Sequence, residues 1–212
     1  MTQMLTEIEK NIESRRETDR IMWFSMWILL SVASFGVAWF LMIYFLIKRR
    51  NDHFLRQDKL ETLISTRLRQ LSEDKLRHQN PAASIKTENP RLFRNAQVWA
   101  LSTLLVFPAF FVLYFLETDL HEHEEREHTF LEETISLAQD SGVDIRIDGF
   151  PITKKFASDR YLILTVATCG FAALYWLYRI FNDYNQHFNR QWKIEDDILK
   201  FFKSVNNLEP GW

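Results

Sequence analysis

Three stretches of the chain carry no charged side chain over lengths that match the apolar thickness of a lipid bilayer. They cover residues 21–47, 95–116 and 161–178, which are 27, 22 and 18 residues long. An α-helix rises about 1.5 Å per residue, so about 20 apolar residues cross a hydrocarbon layer of about 30 Å. The runs predict three transmembrane helices, the third continuing to residue 181. We therefore expect an all-α integral membrane protein whose main partner is the lipid bilayer.

The charge distribution predicts the side of the membrane on which each connection lies. Residues 48–95 contain 12 Lys and Arg against 6 Asp and Glu, whereas residues 117–160 contain 5 against 12. Because Lys and Arg accumulate in cytoplasmic loops, the basic connection is expected inside and the acidic one outside. The expected location is the cell membrane, as a multi-pass protein with its N-terminal tail (residues 1–20) outside and its C-terminus inside.

Two charged segments read as helical extensions on the cytoplasmic side. Residues 48–80 combine a stretch without Gly or Pro with apolar side chains three and four positions apart, and a proline-bounded linker, residues 81–94, follows. The tail, residues 182–212, has a similar pattern. Two arrangements stay open: the helices pack as a stalk, within one chain or across a dimer, or they lie on the lipid surface.

The acidic connection, residues 117–160, predicts a small element of a helix and a strand. Its first part, to residue 139, is compatible with a helix. After it, Val143, Ile145 and Ile147 alternate with charged residues, and this period of two is typical of a short strand.

A possible metal site lies in the acidic connection. On a helix His121, Glu125 and His128 fall at positions i, i+4 and i+7, on one face. Imidazole with a carboxylate suits a divalent transition metal such as Zn²⁺. The alternative is a solvated acidic helix that contains histidines and binds no metal. No second copy of the Glu-x-x-His spacing supports a two-metal centre.

Small residues predict that the apolar helices associate. Thr165, Cys169 and Ala173 recur four residues apart with Gly170 beside them, and Ser34 with Ala38 repeats the spacing more weakly. Small side chains allow helix backbones to approach closely in lipid. The pattern predicts packing within the protomer, a homo-oligomer or a larger membrane complex. Pro108 is expected to bend the second span.

Several activities are disfavoured by what the sequence lacks. The apolar runs contain no Asp, Glu, Lys, Arg or His at mid-depth, and such side chains usually mark ion or proton pathways. There is no glycine-rich phosphate loop, no nucleophile paired with a base and no aromatic-rich basic surface for nucleic acid. We expect a non-enzymatic protein that binds no nucleic acid and, apart from the possible metal, no cofactor.

The third run and its exit read Thr-Cys-Gly-Phe-Ala-Ala-Leu-Tyr-Trp-Leu-Tyr-Arg-Ile over residues 168–180. This segment resembles the last span of a family of small prokaryotic multi-pass membrane proteins of unknown function. The resemblance covers about residues 160–188 and implies a prokaryotic membrane protein, without implying an activity or a site.

Three hypotheses for function follow from these patterns. The first is an accessory subunit, scaffold or assembly factor that acts through helix association. The second is a signal-coupling protein whose acidic, histidine-containing loop senses a metal, pH or a partner. The third is a subunit of a transporter or channel.

Overall fold

The computed structural model describes residues 2–75, 93–140 and 158–208, and every regular element in these ranges is an α-helix. The all-α class is therefore confirmed for the described residues. The helices, in chain order, are α1 (Thr2–Glu13), α2 (Arg15–Thr18), α3 (Phe24–Ala33), α4 (Val37–Lys75), α5 (Ala96–Ser102), α6 (Val106–Asp140), α7 (Ser158–Ala167) and α8 (Phe171–Leu208). The strand predicted at residues 143–147 and most of the predicted linker lie outside the described residues.

Each apolar run folds back on itself as a helical hairpin. The first is broken between α3 and α4, where Gly36 has φ +91°, and the third between α7 and α8, where Gly170 has φ +97°. Glycine adopts this left-handed region without a steric cost, so both positions end one helix and start another. Beyond the glycine, the new helix is capped: Ser34 Oγ accepts the N–H of Ala38 at 2.8 Å.

The third hairpin turn resembles the first, whereas the second is formed differently. At the third, Thr168 Oγ1 accepts the N–H of Ala172 at 2.9 Å, which repeats the cap of the first. The second turn, residues 103–105, has no glycine. Pro108 lies in the first turn of α6, where a backbone N–H would have no acceptor within the helix, so a proline costs no hydrogen bond there. The bend expected at Pro108 is thus the start of a new helix.

These breaks overturn the predicted membrane topology. Among residues 2–75, 93–140 and 158–208, no helix combines the length and the apolar character needed to cross a bilayer. The three-span fold, the multi-pass location and the N-terminus-outside orientation are therefore wrong. An uncharged run of the right length does not imply a continuous helix when a turn interrupts its middle.

The long helices α4, α6 and α8 run parallel from the three turns. Between α4 and α8, Arg49 contacts Asn185 and, farther along both helices, Gln57 contacts Glu195. The same order holds between α6 and α8, where the successive contacts are Tyr184 with Leu116 and Arg190 with Glu124. Since each long helix begins at its own turn, the three turns lie at one end of the bundle.

Two apolar cores lie along the bundle. The core nearer the turns includes Leu46, Val112 and Trp176, and the core farther away includes Ile64, Leu131 and Ile198. Helix α1 contributes Ile8 to the far core, so the predicted N-terminal tail is a packed element. The apolar stripes predicted on residues 48–80 and 182–212 meet here within one chain. The acidic segment of α6 packs beside them, so its predicted place on the opposite side of a membrane is wrong.

Charged side chains pack against the core nearer the turns. Arg94 donates two bonds to Asp119, at 2.7 and 2.8 Å, and Arg50 lies 3.0 Å from the same carboxylate. The guanidinium of Arg49 lies among three aromatic rings, 5.0 Å from the centre of Tyr184. Polar groups buried in this way are costly unless they are paired, so these contacts fix the register of the helices.

The far core predicts a contrast between two aliphatic residues of α4. Ile64 is 1% exposed and Leu55 is 70% exposed. Replacing Ile64 by Ala should lower the free energy of unfolding by about 2–5 kcal/mol, because it removes buried methyl groups and leaves a cavity. Leu55→Ala should change it by less than about 0.5 kcal/mol. Chemical denaturation of both variants checks this; equal effects would contradict the packing of α1, α4 and α8.

Candidate metal centre

Three histidines from three helices meet in the interior of the bundle. His53 of α4, His123 of α6 and His187 of α8 are each no more than 1% exposed. The Nε2 atom of His53 lies 3.1 Å from Nε2 of His123 and 3.0 Å from Nε2 of His187. Within the described part of the chain, these three histidines are the group whose ligand atoms lie close enough together to hold a metal ion.

Carboxylates on the outer side of two rings determine which nitrogen carries the proton. Asp19 Oδ1 lies 2.9 Å from Nδ1 of His53, and Glu124 Oε1 lies 3.2 Å from Nδ1 of His187. A carboxylate only accepts, so both Nδ1 atoms are N–H donors. Arg56 and Arg190 donate to these same carboxylates and favour their ionised form. In the neutral rings, Nε2 of both histidines therefore carries a lone pair.

These two lone pairs face each other at 3.0 Å, an arrangement that calls for a cation between them. In a tetrahedral site with metal–nitrogen distances of about 2.0–2.1 Å, neighbouring ligand nitrogens lie about 3.3–3.4 Å apart. The observed separations of His53 from His123 and His187 are only a few tenths of an ångström shorter. Small side-chain shifts would bring all three nitrogens to metal-ligand distances.

Glu127 supplies a carboxylate on the remaining side of the cluster. Its Oε2 atom lies 4.0 Å from Nε2 of His123 and 4.0 Å from Nε2 of His187, and the residue is 2% exposed. Glu127 follows His123 by one helical turn, so α6 presents both side chains on one face. Three imidazoles and one carboxylate make a four-donor set typical of zinc and related ions.

The outer carboxylates are themselves held in a buried network. Asp19 also accepts bonds from Arg56 at 2.7 Å, from the indole Nε1 of Trp192 at 2.9 Å and from Thr18 at 2.7 Å. Burial opposes ionisation of Asp19, but His53 and Arg56 together hold its pKa below the usual range. Histidine ligands of metals usually donate their second N–H to such a partner, which fixes the orientation of the ring.

Burial favours the neutral form of His53 and His187. It lowers the pKa of His53 to about 3, although Asp19 opposes this shift. It also lowers the pKa of His187, against the attraction of Glu124. Neutral imidazole is the form that binds metals, so the interior favours the ligand state of both rings.

The residues predicted from sequence as a metal site are placed elsewhere. His121 Nε2 lies 3.0 Å from Glu125 Oε1, while His128 pairs with Glu132 at 3.5 Å. The side chain of Glu125 is largely exposed. Both contacts join residues four apart on α6, and the structure does not bring His121 and His128 to one ion.

The small residues predicted to pack helices instead surround the hairpin turns. Cys169 and Gly170 both have positive φ and form the third turn, so Thr165 in α7 and Ala173 in α8 do not share one helix face. Thr165 is buried, whereas Cys169 is exposed. Ser34 caps the helix that contains Ala38. These residues shape the turns that set the starting points of α4 and α8.

Sequence reasoning missed His53 and His187 because they are far from the acidic segment along the chain, and it missed His123 and Glu127 within that segment because it followed the spacing of His121, Glu125 and His128. One signal was present: His53 follows Gly36, and His187 follows Gly170, by the same 17 residues. Each glycine is the last residue of a Ser-x-Gly triplet (residues 34–36) or a Thr-x-Gly triplet (residues 168–170). Such a repeat indicates two equivalent hairpins whose histidines lie at equal height.

The lowered pKa of His53 predicts how the metal-free protein responds to acid. The unfolded chain takes up a proton near pH 6.5, but the native ring does not until about pH 3. The native state therefore binds fewer protons in this window, and stability should be complete above pH 6.5 and fall as the pH drops toward 3. In NMR titrations of the chelator-treated protein, the ring shifts of His53 should stay constant from about pH 8 to about pH 5; a midpoint near 6.5 would contradict its burial.

Comparison with protein-family models, curated proteins and solved structures finds no match to this chain. Its function is therefore inferred from the geometry of the centre and from the chemistry of the donor groups.

Proposed function

We propose that the protein binds one divalent transition-metal ion between α4, α6 and α8 and acts as a metal-stabilised helical scaffold. The observation that carries the proposal is the 3.0 Å approach of the Nε2 atoms of His53 and His187, while their Nδ1–H groups bond to carboxylates. A bound cation turns this repulsive contact between lone pairs into two coordinate bonds. His123 and Glu127 complete the coordination.

Burial of the donors supports a structural role for the metal. The three histidines and Glu127 are between 0 and 2% exposed. Catalytic zinc sites keep a position open for water and substrate, whereas structural sites are closed by protein ligands. With Glu127, whose Oε2 lies 4.0 Å from Nε2 of His123 and of His187, moved onto the ion as the fourth ligand, the site is closed by protein donors and leaves no coordination position for a reaction.

The donor set favours ions that accept imidazole nitrogen. Zn²⁺, Co²⁺, Ni²⁺, Cu²⁺ and Fe²⁺ bind imidazole well, while Ca²⁺ and Mg²⁺ prefer sites built of oxygen. The centre contains no thiolate, since Cys169 lies at the third turn. Zn²⁺ is the ion that a nearly tetrahedral set of three nitrogens and one oxygen fits best.

A second role, metal-dependent signal coupling, is favoured by the position of the centre. His53 lies along α4 between Leu46 of the core near the turns and Ile64 of the far core. Loss of the ion would loosen the contact of three helices at this level. Rapid, reversible metal exchange in the folded protein would support coupling, whereas metal that leaves only on unfolding would support the scaffold.

Metal titration tests the centre directly. The chelator-treated full chain should bind one equivalent of Zn²⁺ or Co²⁺, and Co²⁺ should give the intense visible absorption of a tetrahedral site. His53→Ala should weaken binding by at least about 100-fold, because it removes one ligand and leaves the buried Asp19 carboxylate without its histidine donor.

The control is the double variant His121→Ala, His128→Ala, which changes the histidines on the outer face of α6. It should bind the ion as the wild type does. If the control abolishes binding and His53→Ala leaves it unchanged, the ion belongs to the acidic face of α6 and the buried centre is refuted. Circular dichroism of each variant monitors folding.

A gentler variant separates loss of a ligand from loss of the fold. Glu124→Gln keeps the size of the side chain but removes the charge that orients His187. Affinity for Zn²⁺ should fall by about 10–100-fold with stoichiometry unchanged, as for partners of metal-binding histidines elsewhere. Unchanged affinity in a competition assay with a chromophoric chelator would contradict the role of Glu124.

A further inference from the structure

Apolar side chains are exposed at the end of the bundle where the three turns lie. Phe35 is 100% exposed, Phe171 is 77% exposed and Phe107 is 73% exposed, one from each hairpin. Among the described residues, all the large hydrophobic side chains that are strongly exposed belong to the three apolar runs, except Leu55 and Phe93. A cluster of exposed apolar side chains marks a surface that lipid or another molecule covers.

The exposed surface surrounds the hairpins and does not form a single face. Leu162, Ile163 and Leu164 follow one another in α7 and are 48, 68 and 49% exposed. Successive residues of an α-helix point about 100° apart, so these three cover most of the helix circumference. A flat protein partner covers one face of a helix, whereas lipid chains cover all faces.

The length of the hairpins matches one leaflet. Helices α3 and α7 each have 10 residues, and α5 has 7. At about 1.5 Å per residue, a leg of about 10 residues reaches about 15 Å, half of a hydrocarbon core of about 30 Å. The turns would lie near the bilayer midplane, and the chain would enter and leave on the same side.

Basic side chains occur where the apolar surface ends. Arg20 precedes the first hairpin, Arg94 the second and Arg160 lies near the start of α7; Arg20 and Arg160 are exposed. Lys48 and Arg179 follow the apolar parts of α4 and α8. Each pairs with a carboxylate one helical turn farther from the hairpin turns, which form the tips of the three hairpins. On α4 and α8 the bases therefore lie nearer to the apolar surface than their acidic partners do, while on α6 Glu117 lies at the same border and accepts a bond from Trp176 Nε1. This order complements anionic lipid headgroups.

Exposed aromatic rings occupy the same border. Trp23 lies at the start of the first hairpin, Tyr114 on α6 and Tyr178 on α8, and all three are exposed. Trp and Tyr prefer the boundary between hydrocarbon and headgroups, because each ring has an apolar body and a polar group. Apolar tips, an aromatic border and a basic rim thus follow one another along the bundle.

We propose that the three hairpin tips insert into one leaflet of a bilayer that contains anionic phospholipid, without crossing it. The far core and the tri-histidine centre then stand outside the lipid, on the side from which the hairpins enter. This attachment rests on the surface of the tips alone and does not depend on the metal.

Vesicle binding tests the insertion. The full chain should float with vesicles of phosphatidylcholine and phosphatidylglycerol, and the double variant Phe35→Asp, Phe171→Asp should lose at least about tenfold in partitioning, because charged side chains are costly in hydrocarbon. The control is Leu55→Asp, which places one such charge at an exposed leucine outside the tips; it should partition as the wild type does. Equal binding of all three proteins would overturn the proposal.

A label on Cys169 tests depth in the otherwise unchanged chain. Cys169 is the only cysteine and lies exposed at the third turn, so an environment-sensitive fluorophore attached there reports the position of the tip. With vesicles, its emission should shift to the blue and be quenched more by spin labels deep in the acyl chains than by labels on headgroups. A water-like emission in the vesicle-bound protein would refute insertion. A lipid-free dimer broken by the Asp variants, together with no vesicle binding, would overturn it too and assign the tips to a second copy of the chain.

Discussion

The contact between His53 and His187 is the constraint on which the interior of this bundle depends. Asp19 and Glu124 commit the outer nitrogens of both rings as donors, so two lone pairs meet 3.0 Å apart at fully buried residues. A cation bound by both rings would convert this contact into two coordinate bonds. The surrounding ion pairs with Arg56 and Arg190 hold the carboxylates in place, and the far and near cores hold the helices at the required height.

The hairpin turns explain how three distant histidines reach one level. Gly36 and Gly170 start α4 and α8 at the same end of the bundle, and His53 and His187 each follow that glycine by 17 residues, whereas α6, which carries His123, starts at a turn without glycine. Helices that start together and run parallel carry equivalent positions to equal heights. The turns therefore serve two purposes: they position the metal centre, and they form the apolar tips proposed to enter lipid.

The sequence pattern predicted the helical class correctly and the membrane topology wrongly. The stripes that include Ile64 and Ile198 are governed by helical periodicity, and they pack against each other within one chain, one of the arrangements that the pattern left open. Gly36 and Gly170 were treated as small residues of continuous spans, because hydropathy averages over a window and does not register a left-handed turn. The metal site was predicted at His121 and His128 from their local spacing, whereas the residue of that segment that meets His53 is His123. Contacts between residues 134 positions apart, such as His53 and His187, arise only from the tertiary fold.

The most direct measurement is the metal content and X-ray absorption spectrum of the full chain, purified without added metal or chelator. We predict about one zinc-like ion per chain, with a first shell of nitrogen and oxygen and the outer-shell scattering of about three imidazole rings. Protein that is fully folded and free of transition metal, or an ion whose spectrum lacks imidazole scattering, would contradict the tri-histidine centre.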